Sequence, residues 1–170
     1  SKDEFDLFCK FDLIDLLINH LSSSSSSDLH KNKIMDIFSE TALLKCFDSS
    51  FIEGSGIDRL VSQLLQVDNC TASALYCSCA LASIRRGDLL NNFHNFLFHG
   101  NSSSIQHAAL HGLGVYFSSS SSESDCSLLL NQILAYDKNV FSWLEEKTRS
   151  TFEDQKSAAF FAVKSILSVP

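Results

Sequence analysis

Apolar residues recur along this chain at the spacing of a helix rather than in strand-like alternation. Phe5, Phe8, Cys9, Leu13, Leu16 and Leu17 fall at i, i+3/i+4 steps and predict a helix over 3–21. Six serines at 22–27 interrupt it; they bury no apolar area and compete with the backbone for hydrogen bonds, so a flexible loop is expected. Asp28 is then the expected N-cap of a helix carrying Leu29, Ile34, Ile37, Phe38, Leu43 and Leu44. Residues 49–56 read as a loop, 57–67 as a helix and 71–84 as another, with a slim face of Ala74, Cys77, Leu81 and Ile84. Further helices are expected over 88–98, 105–117, 128–136 and 140–147, with a second serine loop at 118–124. Ser150 and Glu153 predict a capping box for a last helix that buries Ala158, Ala159, Ala162, Val163, Ile166 and Leu167. The pattern predicts about nine helices and an all-α fold.

Inside those helices a small-large signature returns. It reads Ala42-Leu43-Leu44, Ala74-Leu75-Tyr76, Ala108-Ala109-Leu110 and Ala158-Ala159-Phe160. Counted from Ala42 through Ala74, Ala109 and Ala159, the intervals are 32, 35 and 50 residues. Small residues on a packing face let neighbouring helix backbones approach, as stacked helix arrays require. Intervals this variable suit an irregular armadillo/HEAT-like α-solenoid of helix pairs, spanning 1–170 as one repeat domain; a closed bundle is the competing architecture. Ser1 in place of Met, and an end at Pro170 directly after an apolar helix pattern, lead to the expectation of a piece of a longer solenoid.

Composition narrows the function. One Pro and six Gly in 170 residues favour uninterrupted helices. The net charge of −7, with no basic stripe beyond Arg85-Arg86, argues against nucleic acid and against anionic membrane surfaces. No window approaches 18 consecutive apolar residues, so no spanning helix is expected, and Ser1-Lys2-Asp3-Glu4 does not open a signal peptide. The six cysteines fall mostly in apolar helical windows, where a thiol is a small hydrophobe. That points to reduced cysteines and a cytoplasmic or nuclear setting, in which the sequons at Asn69 and Asn101 carry no meaning.

Candidate chemistry is thin. His107 and His111 stand at i, i+4, a spacing at which two imidazoles can share a metal, with His94 and His99 upstream. The Glu that follows the first His in a zinc protease is absent, and no third ligand lies at matching spacing. Cys77 and Cys79 sit about 200° apart around a helix, unlike a redox pair. Arg86-Gly87-Asp88 reads as a helix junction, with Gly separating two helices and Asp capping the second. Ser121-Ser122-Glu123-Ser124-Asp125 has the acidic setting that some kinases favour, but drift in an insertion-tolerant loop is the preferred reading. No catalytic constellation, cofactor motif or metal site is expected.

The stretch Ile105-Gln106-His107-Ala108-Ala109-Leu110-His111-Gly112-Leu113 resembles the middle of an armadillo or HEAT unit. Within that superfamily, four features are similar to the C-terminal region of the solenoid chaperones that assemble the base of the proteasome regulatory particle, the non-ATPase regulatory subunit 5 type. They are His107 to Leu110, Phe141 with Leu144, Lys156-Ser157-Ala158, and Val163 to Ser168. The serine insert at 118–122 and the first hundred residues depart from it. The resemblance implies a non-enzymatic chaperone that grips the C-terminal domain of an ATPase subunit. The expected function is therefore a non-catalytic protein-binding scaffold. Its alternatives are a structural end-piece of a larger helical-repeat protein, and a helical metal-binding protein using the His94–His111 region.

Overall fold

The computed structural model describes residues 13–84, 93–99, 102–119 and 123–169, and within them forms ten helices and no strand. They are α1 (Leu13–Ser22), α2 (Asp28–Leu43), α3 (Ser49–Ser55), α4 (Ile57–Leu64), α5 (Thr71–Ala82), α6 (Phe93–His99), α7 (Ser103–Ser119), α8 (Glu123–Tyr136), α9 (Val140–Thr148) and α10 (Glu153–Leu167). The fold is all-α. The expected first turns over 3–12, the start of the 88–98 helix, and the Arg86-Gly87-Asp88 junction lie outside the described residues.

Four of these helices follow one another in a row: α2 packs on α5, α5 on α7, and α7 on α10. Their contacts climb together, which fixes direction. Between α2 and α5, Asn32 Nδ2 donates to the Asn69 carbonyl just before α5, the Ser39 hydroxyl meets Cys77, and Ala42 and Leu43 share a cavity wall with Ser83 and Ile84. Between α5 and α7, Tyr76 meets His111 and Ser83 shares that cavity with Ser119. Between α7 and α10, Gln155 Nε2 donates to Ser103 Oγ, and Phe161 meets His111. Low numbers pair with low and high with high, so all four helices run parallel. Parallel neighbours need the chain to travel back between them, and α3–α4, α6 and α8–α9 occupy those returns. An up-and-down bundle would instead make sequential neighbours antiparallel.

Small residues set the spacing of the row. α5 is buried around most of its circumference, with Ala72, Ser73 and Tyr76 half-buried on the remaining side, rather than on the single slim face that its sequence suggested. It contributes Ala74, Cys77, Ala80 and Leu81 to one hydrophobic cluster and Leu75, Cys79 and Ala82 to the next, joining the two. On α7, Gly112 and Gly114 face opposite neighbours. A Cβ at Gly112 would stand 2.7 Å from Cys79 Sγ on α5, and one at Gly114 would fall on the Phe161 ring of α10.

Local chemistry departs from the sequence reading in four places. Residues 49–55, expected as a loop, form α3, because Asp48 caps it: its carboxylate accepts from the Phe51 N–H at 2.7 Å. Those hydrogen bonds, from Phe51 and Ser50, hold the Asp48 carboxyl below its usual range. Gly56, at φ +67, then turns the chain into α4. Ser27, not Asp28, caps α2; Asp28 lies in the first turn and accepts from Asn69 Nδ2. The Ser150–Glu153 capping box does not form. Ser150 Oγ accepts from the Phe152 N–H and reaches Gln155, while Glu153 pairs with Lys156. Finally, α7 continues through Ser119 and α8 starts at Glu123, well before Leu128, so of the serine segment only 120–122 falls outside the described residues.

Candidate protein-binding face

The parallel register places residues of successive helices at one level on the exposed side of the row. Asp36 and Glu40 project from α2, Tyr76 from α5, His111 from α7 and Phe161 from α10. The ring centroids of Tyr76 and His111 are 5.1 Å apart, and those of His111 and Phe161 are 5.3 Å apart. His107 stacks below His111 at 6.0 Å, with the ring planes 17° apart. A strip of rings thus crosses three helices, with two carboxylates at its α2 end. Tyr76, His111 and Phe161 are half-buried, whereas Asp36 and Glu40 are exposed.

Each member is positioned by packing. Gly114 gives Phe161 room to lie on the α7 backbone. His107 Nδ1 donates to the Asp154 carbonyl at 3.1 Å; a carbonyl can only accept, so the proton sits on Nδ1. Burial, then the neighbouring His107, lowers the His111 pKa, keeping that ring neutral near pH 7. Burial, then Glu40, raises the Tyr76 phenol. Asp36 is raised by burial and by Glu40 one turn away.

Of the four histidines named from sequence, the three whose side chains are described do not converge. His107 and His111 belong to the strip, whereas His99 Nε2 bonds the Tyr136 hydroxyl at 2.8 Å on α8, beside Phe98 and Trp143. The His94 side chain lies outside the described residues. Among the described residues no three His, Cys, Asp or Glu side chains are grouped to hold a metal ion. Cys77 and Cys79 are fully buried and point apart, Cys77 toward Ser39 and Cys79 toward Gly112. Burial pushes the Cys77 thiol up to about 12 and Cys79 upward too, so neither carries thiolate character. A cavity of about 290 Å³ opens where α2, α5 and α7 end, lined by Leu43, Phe47, Ser83, Ile84 and Ser119 among others. No described helix is long and apolar enough to cross a membrane.

Asp36, Glu40, Tyr76 and Phe161 were not singled out from the sequence, yet a signal for three of the five strip residues was there. Tyr76, His111 and Phe161 are the third residues of Ala74-Leu75-Tyr76, Ala109-Leu110-His111 and Ala159-Phe160-Phe161. Aligning the signatures on Ala74, Ala109 and Ala159, and reading one residue past Leu110 and Phe160, exposes the strip.

Ten helices in this arrangement are compatible with a helical-repeat fold. No protein-family model, curated protein or solved structure matches the chain significantly.

Proposed function

We propose that this chain is a non-catalytic protein-binding scaffold, an irregular armadillo/HEAT-type solenoid whose working surface is the Asp36–Glu40–Tyr76–His111–Phe161 face. The observation that supports this best is the common level of those side chains on successive parallel helices. Solenoids present such faces to extended or helical segments of other proteins, through shape and contact rather than chemistry. The free thiols of Cys46, Cys70, Cys77, Cys79 and Cys126 fit a reducing compartment, the cytoplasm or nucleus. The finer reading is a chaperone for the base of the proteasome regulatory particle, holding the C-terminal domain of an ATPase subunit. It rests on the sequence resemblance around Ile105 to Leu113 and toward the C-terminus.

Affinity capture from native extract, quantified by mass spectrometry, tests both levels. Two variants alter the face: Tyr76→Ala, and Ser157→Arg, which adds bulk at an exposed position one turn before Phe161. Phe141→Ser changes the exposed surface of α9 as a control. A partner retained by the parent chain and the control, and reduced at least roughly tenfold by both face variants, is the expected result; such a loss corresponds to about 1.4 kcal/mol. An ATPase subunit of the base among those partners supports the chaperone reading. A face-dependent partner of another kind removes that reading and keeps the scaffold. Partners indifferent to both face variants remove the scaffold assignment for this surface.

A further inference from the structure

Resting on the scaffold reading, we infer that the partner is an extended basic segment that lays an Arg or Lys side chain into the corner formed by Asp36, Glu40 and Tyr76, then crosses the row over His111 and Phe161. Three features of the face select this occupant.

The first is the charge at one end. Asp36 and Glu40 are like charges one turn apart on α2, a pairing that weakens a helix. Among the described residues neither has an ion-pair partner, although Lys33 and Lys45 lie on or beside the same helix. Both carboxylates lie close enough to act electrostatically on the Tyr76 phenol. A cation set there would relieve the repulsion and lie against an electron-rich ring, a combination suited to guanidinium or ammonium.

The second is the run of rings. From Tyr76 the strip continues through a neutral imidazole to Phe161, with centroid steps of 5.1 and 5.3 Å. Tyr76, His111 and Phe161 themselves carry no formal charge near pH 7, and His107 lies to one side of their path, below His111. The side chains following the cation on the partner are therefore apolar, and the segment runs across the helices rather than along one. An extended peptide suits that path, because alternate side chains reach the same surface.

The third is the overall field. The chain carries a net charge of −7, which steers a cationic segment toward it and repels an acidic one.

The test uses two dye-labelled ten-residue peptides, one alternating Arg with Leu and one alternating Glu with Leu, read by fluorescence polarisation against the whole chain at about 150 mM salt. The Arg peptide is expected to bind and the Glu peptide not to. Asp36→Asn with Glu40→Gln should weaken the Arg peptide at least tenfold. Glu145→Gln with Glu146→Gln removes the same formal charge from exposed positions of α9, and should change binding less than twofold. Both double variants alter exposed carboxylates only, so the fold is kept. Equal losses in the two double variants, no binding of the Arg peptide, or binding of the Glu peptide would each overturn the inference. The Tyr76→Ala and Ser157→Arg capture experiment is independent of peptide charge. If those variants still lose their partner, the face stands and only its preference for a cation is wrong.

Discussion

Gly112→Val is expected to destabilise the chain by about 3 kcal/mol, the upper end of what forcing extra carbon into a packed interior costs. Gly112 lies mid-helix with ordinary backbone angles, so its need for glycine is spatial; of the described glycines only Gly56 has a positive φ. The neighbour is Cys79 Sγ, 2.7 Å from where a Cβ would stand, and Cys79 has no exposed surface into which it could retreat. Glycine in a helix interior is itself unfavourable by about 1 kcal/mol relative to alanine. Alanine at 112 therefore recovers part of its steric cost, and the branched valine recovers less. Gly54 supplies the contrast. It lies in α3 with nothing within 4 Å of a built Cβ, so Gly54→Ala should stabilise by roughly 0.5–1 kcal/mol. Urea melts of the two variants, compared at equal slope, check both signs at once.

The second large effect is at Leu110. Leu110→Ala should cost about 3–4 kcal/mol, because the side chain is wholly buried in the cluster joining α5 to α10 and its removal leaves a cavity that rigid helix neighbours cannot close. Phe160 holds the matching position of the last signature, yet it is 55% exposed. The cause is its place in the row: α7 has α5 on one side and α10 on the other, whereas α10 has a row neighbour only in α7. Phe160→Ala is accordingly expected to change stability by less than about 0.5 kcal/mol, the usual range for surface substitutions. Two residues at one motif position would then differ severalfold in effect. Thermal or chemical melts of the two variants settle the comparison.

Helix period and small residues made much of the fold legible. The 35-residue step from Ala74 to Ala109 matches the contact of Tyr76 with His111, and the 50-residue step to Ala159 matches that of His111 with Phe161. The 32-residue step does not correspond to packing. Ser39 meets Cys77 and Asn32 meets Asn69, an offset of 37 or 38, so Ala42 lies about a turn and a half beyond the level of Ala74. Ala42-Leu43-Leu44 is instead the end of α2, with Leu44 exposed, and local composition alone cannot distinguish a helix end from its middle. The α3 helix was hidden because Ser49, Ser50, Gly54 and Gly56 read as loop residues, while a single Asp48 cap and the burial of Ile52 suffice to form about two turns. The candidate face was harder to see. Its α2 members, Asp36 and Glu40, belong to no repeat signature and join the strip only through the three-dimensional register of α2 on α5.

Everything proposed for function depends on α2, α5, α7 and α10 running in the same direction. Distances between paired spin labels report this directly, in a chain with Cys9 and Cys46 replaced by serine. Labels at His30 and Ser104 mark the starts of α2 and α7, and labels at Leu44 and Ser118 mark their ends, all at exposed positions. Two helix spacings separate α2 from α7, so start-to-start and end-to-end distances should agree at about 20 Å. The crossed pair, His30 with Ser118, should lie near about 30 Å, because a helix of that length adds roughly 20 Å along the axis. A crossed distance shorter than the start-to-start distance would make the two helices antiparallel, and with them the common level of Tyr76, His111 and Phe161 would be lost.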